Sequence, residues 1–286
     1  MKKWLASLFA AAAGVVLAVV LSVSGLAQRW EWMLSDWRAR VLAKPSPATA
    51  QVKQVLLDQA SLDWASAEMG LSWPWPREVY GVIVDYLARC GARAVALDIL
   101  FTEPSSYGVD DDASLATALA NNGHAAVAVF PGDRSGLATT WPTNAAPNEL
   151  DFDVPPPPSI LTNLTYRSAT FPVGDIASSA AWLGGVRERP DADVVFRRVA
   201  PLRFFDGRPL PSLGLAGILA GESAAVDATF SADALRIGRG RPMPLDGDAC
   251  VHLRFRGPTG THEALSAAAV IQSELCLREG DRKSVV

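Results

Sequence analysis

Acids set at the ends of apolar runs are the residues of this chain best suited to chemistry. Asp58 closes the run Val52–Leu57, Asp98 interrupts Ala94–Leu100, and Glu103 follows shortly after. If these runs are parallel strands, the carboxylates stand in the crevice beyond the strand ends, where open α/β sheets bind ligands. Three such groups suit a divalent cation, so an exported metal-assisted hydrolase using Asp58, Asp98 and Glu103 is the alternative function this placement allows. A local reading competes with it. Asp58 caps the turn into the next element, and Glu103-Pro104 begins a turn.

Other stretches invite the same double reading. In Trp73-Pro74-Trp75-Pro76-Arg77 each proline holds the preceding residue extended, so the segment delivers the next helix at a fixed angle and leaves the indoles to pack. Trp75 and Arg77 lie beside the strand ends and are also candidate lining residues of a ligand crevice. Asp110, Asp111 and Asp112 lack the glycine and distal glutamate of a calcium loop; they read as N-cap and first-turn charge for the helix they precede. Asp191 and Asp193, after Pro190, are acids in a turn, with Arg197 and Arg198 placed to pair with them across the bend.

Catalytic patterns are missing. His124, His252 and His262 are isolated, neither His-Glu-x-x-His nor Gly-x-Ser-x-Gly occurs, and Gly238-Arg239-Gly240-Arg241 reads as a hairpin turn. The chain is therefore not read as an enzyme, and no cofactor or metal is expected. Cys90, Cys250 and Cys276 are odd in number and widely spaced, which suits core or incidental thiols.

The elements that must position these residues alternate between strand and helix. Val52–Leu57 reads as a strand; Val79, Val82, Ile83, Tyr86, Leu87 and Cys90 mark one face of a helix that starts near Pro76 and ends at Gly91. Ala94–Leu100 is a buried strand, so the three together predict a right-handed parallel unit. A helix carrying Leu115 and Leu119 and a strand over Ala125–Phe130 follow. Pro142–Pro158 predicts a long extended loop. Val194–Phe205, Leu235–Gly238 and Cys250–Arg256 then read as strands, and Leu213–Ala220 and Ser266–Leu275 as helices. The fold class is α/β, a parallel or mixed sheet flanked by helices and preceded by one N-terminal transmembrane helix.

That last expectation rests on Leu5–Ala27, which contains no charge and is long enough to cross a bilayer as a helix. Trp30, Met33, Leu34 and Trp37 share a helical face just beyond it, as in a membrane-proximal helix. The division is an anchor over residues 1–28 and an exported domain over 29–286. A formal net charge of −4, from 26 basic and 30 acidic residues, gives no electrostatic basis for a nucleic-acid partner.

Taken in order, Asp58, Ser61, Trp73-Pro74-Trp75-Pro76-Arg77, "GARAVALDILFTEP", "ASLATALA", "PDADVVFRRVAPL", "PSLGLAGILA" and "VHLRFRGPTGTHEALSAAAVI" resemble the CHASE domain of the second type, a cyclase- and histidine-kinase-associated sensory extracellular domain. The resemblance covers most of Gln51–Leu275. It implies a sensor at the bacterial plasma membrane, facing the periplasm and joined to a nucleotide cyclase, histidine kinase or Ser/Thr kinase. It also implies a homodimer and an extracytoplasmic signal of unknown identity. Asp58, Trp75, Arg77, Asp98, Glu103, Asp191 and Asp193 match the family's signature positions and are the candidate ligand-binding residues. Val194 stands where the family usually has glycine. Ser284, Val285 and Val286 read as the start of a further strand, so the domain is expected to be truncated before its last strand and the membrane helices that follow.

Overall fold

The computed structural model describes residues 2–23, 25–132, 138–145, 148, 150–222, 226–231 and 233–284. The chain divides into two units, residues 1–54 with 254–264 and residues 55–253 with 265–286.

The first unit opens with α1 (Lys2–Val23) and α2 (Leu26–Leu42). They meet at Gly25, whose φ of 70° is the left-handed backbone that favours glycine. Trp30, Met33, Leu34 and Trp37 are exposed on α2. Among the described residues no helix is long and apolar enough to cross a membrane, so the spanning role expected of Leu5–Ala27 has no support in the structure. In α3 (Pro47–Gln51), Thr49 Oγ1 accepts from Ser46 N at 3.0 Å and closes the first turn. Lys53 and Glu263 form an ion pair.

β1 (Lys53–Leu56) starts one residue later than the sequence pattern suggests, because Val52 is the C-cap of α3. α4 (Gln59–Met69) ends at Gly70 and α5 (Arg77–Arg89) before Gly91; both glycines have positive φ. α5 buries Val79 and Ile83 of the face its periodicity marks, together with Tyr80 and Val84 beside it, while Val82, Tyr86 and Leu87 are half-buried and Cys90 is exposed. β2 (Val95–Leu97), α6 (Val109–Asn122) and β3 (Ala125–Gly132) form a parallel strand–helix–strand unit, with Val95 opposite Ala125 and Leu97 opposite Val127. Ala125 to Val129 are wholly buried, as expected of a strand covered on both faces.

β4 (Asp151–Val154) lies within the segment expected to be a structureless loop, and the expectation is corrected there. Its alternation is hidden among prolines, and its partner is distant in sequence. Then come α7 (Pro158–Leu164), β5 (Thr165–Tyr166), β6 (Ser168–Thr170), α8 (Gly174–Ser179) and β7 (Trp182–Gly185). β7 runs parallel to β3 with Val127 opposite Leu183, and β6 pairs antiparallel with the end of β3. The central sheet is thus mixed.

The run Val194–Phe205 is not one strand: β8 (Arg198–Val199) and β9 (Leu202–Phe205) are broken at Ala200-Pro201, where proline offers no N–H to a ladder. β10 (Arg208–Pro211), α9 (Leu213–Ala220), β11 (Asp227–Phe230), β12 (Ala234–Ile237), β13 (Met243–Pro244) and β14 (Val251–His252) follow. β11 pairs parallel with β4 and antiparallel with β12; β12 and β13 are the arms of the hairpin expected at Gly238–Arg241. The chain closes with β15 (Glu263–Ser266) and α10 (Ala267–Ser284). β1 pairs with β15 and not with β2, so the first predicted parallel unit is displaced by one strand. Ser284 belongs to α10 rather than to a strand; Val285 and Val286 lie outside the described residues.

The second unit holds two large hydrophobic cores. One gathers Trp75, Tyr80, Phe101, Leu115, Val127 and Ile271; the other gathers Leu150, Leu164, Leu202, Phe204, Phe230 and Leu235. β9 divides between them by its period of two, with Leu202 and Phe204 in the second core and Phe205 in the first.

Candidate functional site

The Trp-Pro-Trp-Pro-Arg stretch enters the first core. Trp75 is 1% exposed and stacks toward Tyr80 at 6.4 Å; Tyr80 meets Phe101 edge-on at 5.3 Å; the Arg77 guanidinium sits 4.8 Å from the Phe101 ring centre. Trp73 is exposed, and its peptide bond to Pro74 is cis. Burial pushes the Tyr80 phenol up to about 12, with Arg77 opposing that rise and Asp111 adding to it.

The aspartate run caps a helix, but not mainly its own. The N-cap of α6 is Gly108, with no side-chain cap. Asp111 instead accepts from Arg77 N at 2.7 Å and Glu78 N at 2.9 Å, the first amides of α5. Asp112 accepts from Arg77 Nε at 3.3 Å and Ser105 N at 2.9 Å, and Arg77 Nη2 donates to the Glu103 carbonyl at 3.1 Å. Pro76 cannot cap, so the buried Asp111 carboxylate from the neighbouring helix satisfies two orphan donors of α5, while Asp112 holds the Arg77 side chain.

Asp58 is the N-cap of α4. Its Oδ1 accepts from Ser61 N at 2.9 Å, Ser61 Oγ at 2.6 Å and Ser266 Oγ at 3.4 Å, and the Ser61 bonds hold its carboxyl below the usual range. Asp98 and Glu103 are exposed, and their carboxylates make no ion pair among the described residues. No three His, Cys, Asp or Glu side chains among the described residues are grouped as a metal site requires. The carboxylate cluster demanded by the hydrolase alternative is therefore not formed.

Asp191 and Asp193 face the arginines that the sequence pairs with them. Arg197, 8% exposed, meets Asp191 at 3.1 Å and Asp193 through a fork at 2.8 and 2.7 Å; Arg198 meets Asp191 at 2.9 Å, Asp246 at 2.8 Å and Asp248 at 3.1 Å. The Asp246 bond leads the interactions that raise Arg198 above its ordinary range. Val194 takes the left-handed conformation at φ 65° that the family's glycine would adopt without strain. This network borders a cleft of about 320 Å³, whose lining includes Glu188, Arg198, Arg203 and Cys250.

A third charged group anchors α10. Glu274 is 0% exposed; its carboxylate accepts from Arg89 of α5 at 3.1 and 3.2 Å and from Arg278 at 2.9 Å, and Arg278 reaches Asp85 of α5 at 2.6 Å.

The model of the CHASE2 domain matches residues 12–286. The chain belongs to the CHASE2 family. CHASE2 domains are extracellular sensory domains. Comparison with curated proteins and with solved structures finds no match.

The seven candidate residues of this CHASE2 domain do not converge on one place. Trp75, Arg77 and the Glu103 backbone share the α5 entry, Asp191 and Asp193 share the arginine turn, and Asp58 caps α4. Sequence reasoning missed Arg203 and Glu274. Both left a signal: a single cation inside the apolar run Pro201–Phe205, and a single acid on the apolar face of α10 beside Val270 and Ile271.

Proposed function

We propose that this CHASE2 domain is the extracytoplasmic sensor of a bacterial transmembrane receptor, passing a change in the position of α10 to a cyclase, histidine kinase or Ser/Thr kinase. The observation that carries this reading is Glu274. A wholly buried carboxylate held by Arg89 and Arg278 ties α10 to α5, and α5 begins at the Trp75–Arg77 cluster, so a shift at one end of α5 biases the other. The uncharged run Leu5–Ala27 supports an N-terminal membrane anchor, and pairing of two copies gives α10 a symmetric partner to act against. Asp98 and Glu103, exposed and without an ion pair among the described residues, are the members of the signature set that a signal or partner would contact; Arg77 holds the Glu103 backbone, while Asp58, Trp75, Asp191 and Asp193 hold their own parts of the fold.

The test joins this chain to a cyclase or kinase output. Glu274→Gln is expected to change basal activity, and removal of residues 29–286 to abolish the stimulated response. Unchanged basal and stimulated activity in both would overturn the reading.

A further inference from the structure

The cleft beside β8 and β9 contains a cation whose charge is unmet. Arg198 on one wall is matched by three carboxylates. Arg203 on the other is not: its Nη1 donates to the Asn163 carbonyl at 3.0 Å, its Nη2 reaches the Cys250 Sγ at 3.9 Å, its guanidinium lies 5.8 Å from the Tyr166 ring centre, and its Nε is buried without a partner. Among the described residues no carboxylate pairs with Arg203. A half-buried guanidinium supplied only with a carbonyl, a thiol and a ring face has fork geometry left for a planar anion. A cation removed from water without a counter-charge is costly, so an anionic occupant gains from relieving that cost.

Glu188 shares the cleft but makes no ion pair with Arg203 among the described residues. It accepts from Ala200 N at 3.2 Å, and burial pushes its carboxyl above the usual range, against the pull of that bond and of Arg203. The volume, about 320 Å³, lies at the small end of ligand sites, which run from about 300 to 1,000 Å³.

We propose that this cleft binds a small organic monocarboxylate, with Arg203 as its anchor and Glu188 beside it. The lining carries Arg189, Arg198 and Arg203 against Glu188 and Asp248, and with Arg198 already matched by carboxylates a single negative charge at Arg203 suits it better than the two of a phosphate. The proposal rests on the sensory reading for its purpose but not for the binding itself.

The experiment uses the full chain carrying Cys90→Ser and Cys276→Ser, which leaves Cys250 as the reporter thiol in the cleft. Acetate, lactate, hexanoate and benzoate are titrated by calorimetry, with lactamide as the neutral control and inorganic phosphate as the dianionic one. At least one carboxylate should bind saturably. At ten times its Kd it should slow modification of Cys250 by a thiol reagent about tenfold, as occupancy requires. Arg203→Gln should weaken that binding at least about tenfold and Arg203→Lys less, since lysine keeps the charge but loses the fork. If no carboxylate saturates by about 10 mM, far weaker than the micromolar range of specific sites, the proposal is overturned. Preference for phosphate, or equal binding of lactate and lactamide, overturns it too. Carboxylate binding with an output that never responds would keep the cleft and remove the sensory reading; an output sensitive to Glu274→Gln with no carboxylate bound would do the reverse.

Discussion

Asp111 of α6 caps the helix that Arg77 begins: its carboxylate accepts from the Arg77 backbone amide at 2.7 Å and from the next amide, Glu78, at 2.9 Å. The first turn of α5 therefore depends on a side chain from another helix. Asp111→Asn keeps the shape but turns an amide N–H₂ toward one of these donors. We expect a loss of about 1–2 kcal/mol, read as a Tm lower by about 2–8 °C, while Asp110→Asn, a replacement at an exposed position, should change little. Equal effects of the two would remove the capping role.

Glu274 supplies a pH dependence with a definite sign. Burial alone would raise its carboxyl, but the Arg89 and Arg278 hydrogen bonds outweigh that and hold it below the ordinary glutamate range. In that window the unfolded chain binds more protons than the folded one, so stability rises with pH. The stability lost in Glu274→Gln, about 1–3 kcal/mol, should be constant near neutrality and shrink as pH falls through the depressed range. Asp85 has the opposite sign, because burial raises its carboxyl against the pull of Arg278; its contribution is full below the ordinary aspartate range and is lost as pH rises. Urea unfolding of Glu274→Gln and Asp85→Asn across pH separates the two.

At Gly184 on β7 an added Cβ would stand 2.6 Å from Leu213 Cα and 2.9 Å from Ala216 Cβ on α9. Backbone cannot yield as a side-chain tip does. Gly184→Ala should cost about 1–3 kcal/mol, whereas Gly214→Ala, where nothing lies within 4 Å, should be neutral or stabilising. Thermal melts of the pair check this.

Val194 is 75% exposed and holds φ at 65°. Replacing it with glycine removes about 1–2 kcal/mol of left-handed strain and loses little packing, against about 0.5–1 kcal/mol of extra chain entropy. Val194→Gly should therefore raise Tm slightly. A lower Tm would mean that the valine side chain, and not the turn, is what the position needs.

Local pattern made α5, α6, β3, α9 and the β12–β13 hairpin legible, because each is written in a run whose period or punctuation is its own. Pairing was not legible. β1 joins β15 from the far end of the chain, β4 finds β11 across some 70 residues, and no local signal records either choice. The charged turn was readable because Asp191 and Asp193 lie within a few residues of Arg197 and Arg198. Arg203 and Glu274 were not, since their meaning depends on Asn163, Cys250 and Arg89 brought from elsewhere. Asp110, Asp111 and Asp112 read as caps of the helix they open, yet only the fold shows that Asp111 caps α5 instead.

One seam inside the second unit is made of very little. Where α9 lies against β3 and β7, the buried residues are Ala126, Ala216 and Ala220, with Gly184 beneath Leu213. Side chains this short let α9 come close to the sheet, with Trp182 and Leu213 packed at the margin. A wall this thin has no slack: whatever presses on α9 meets β3 and β7 at once.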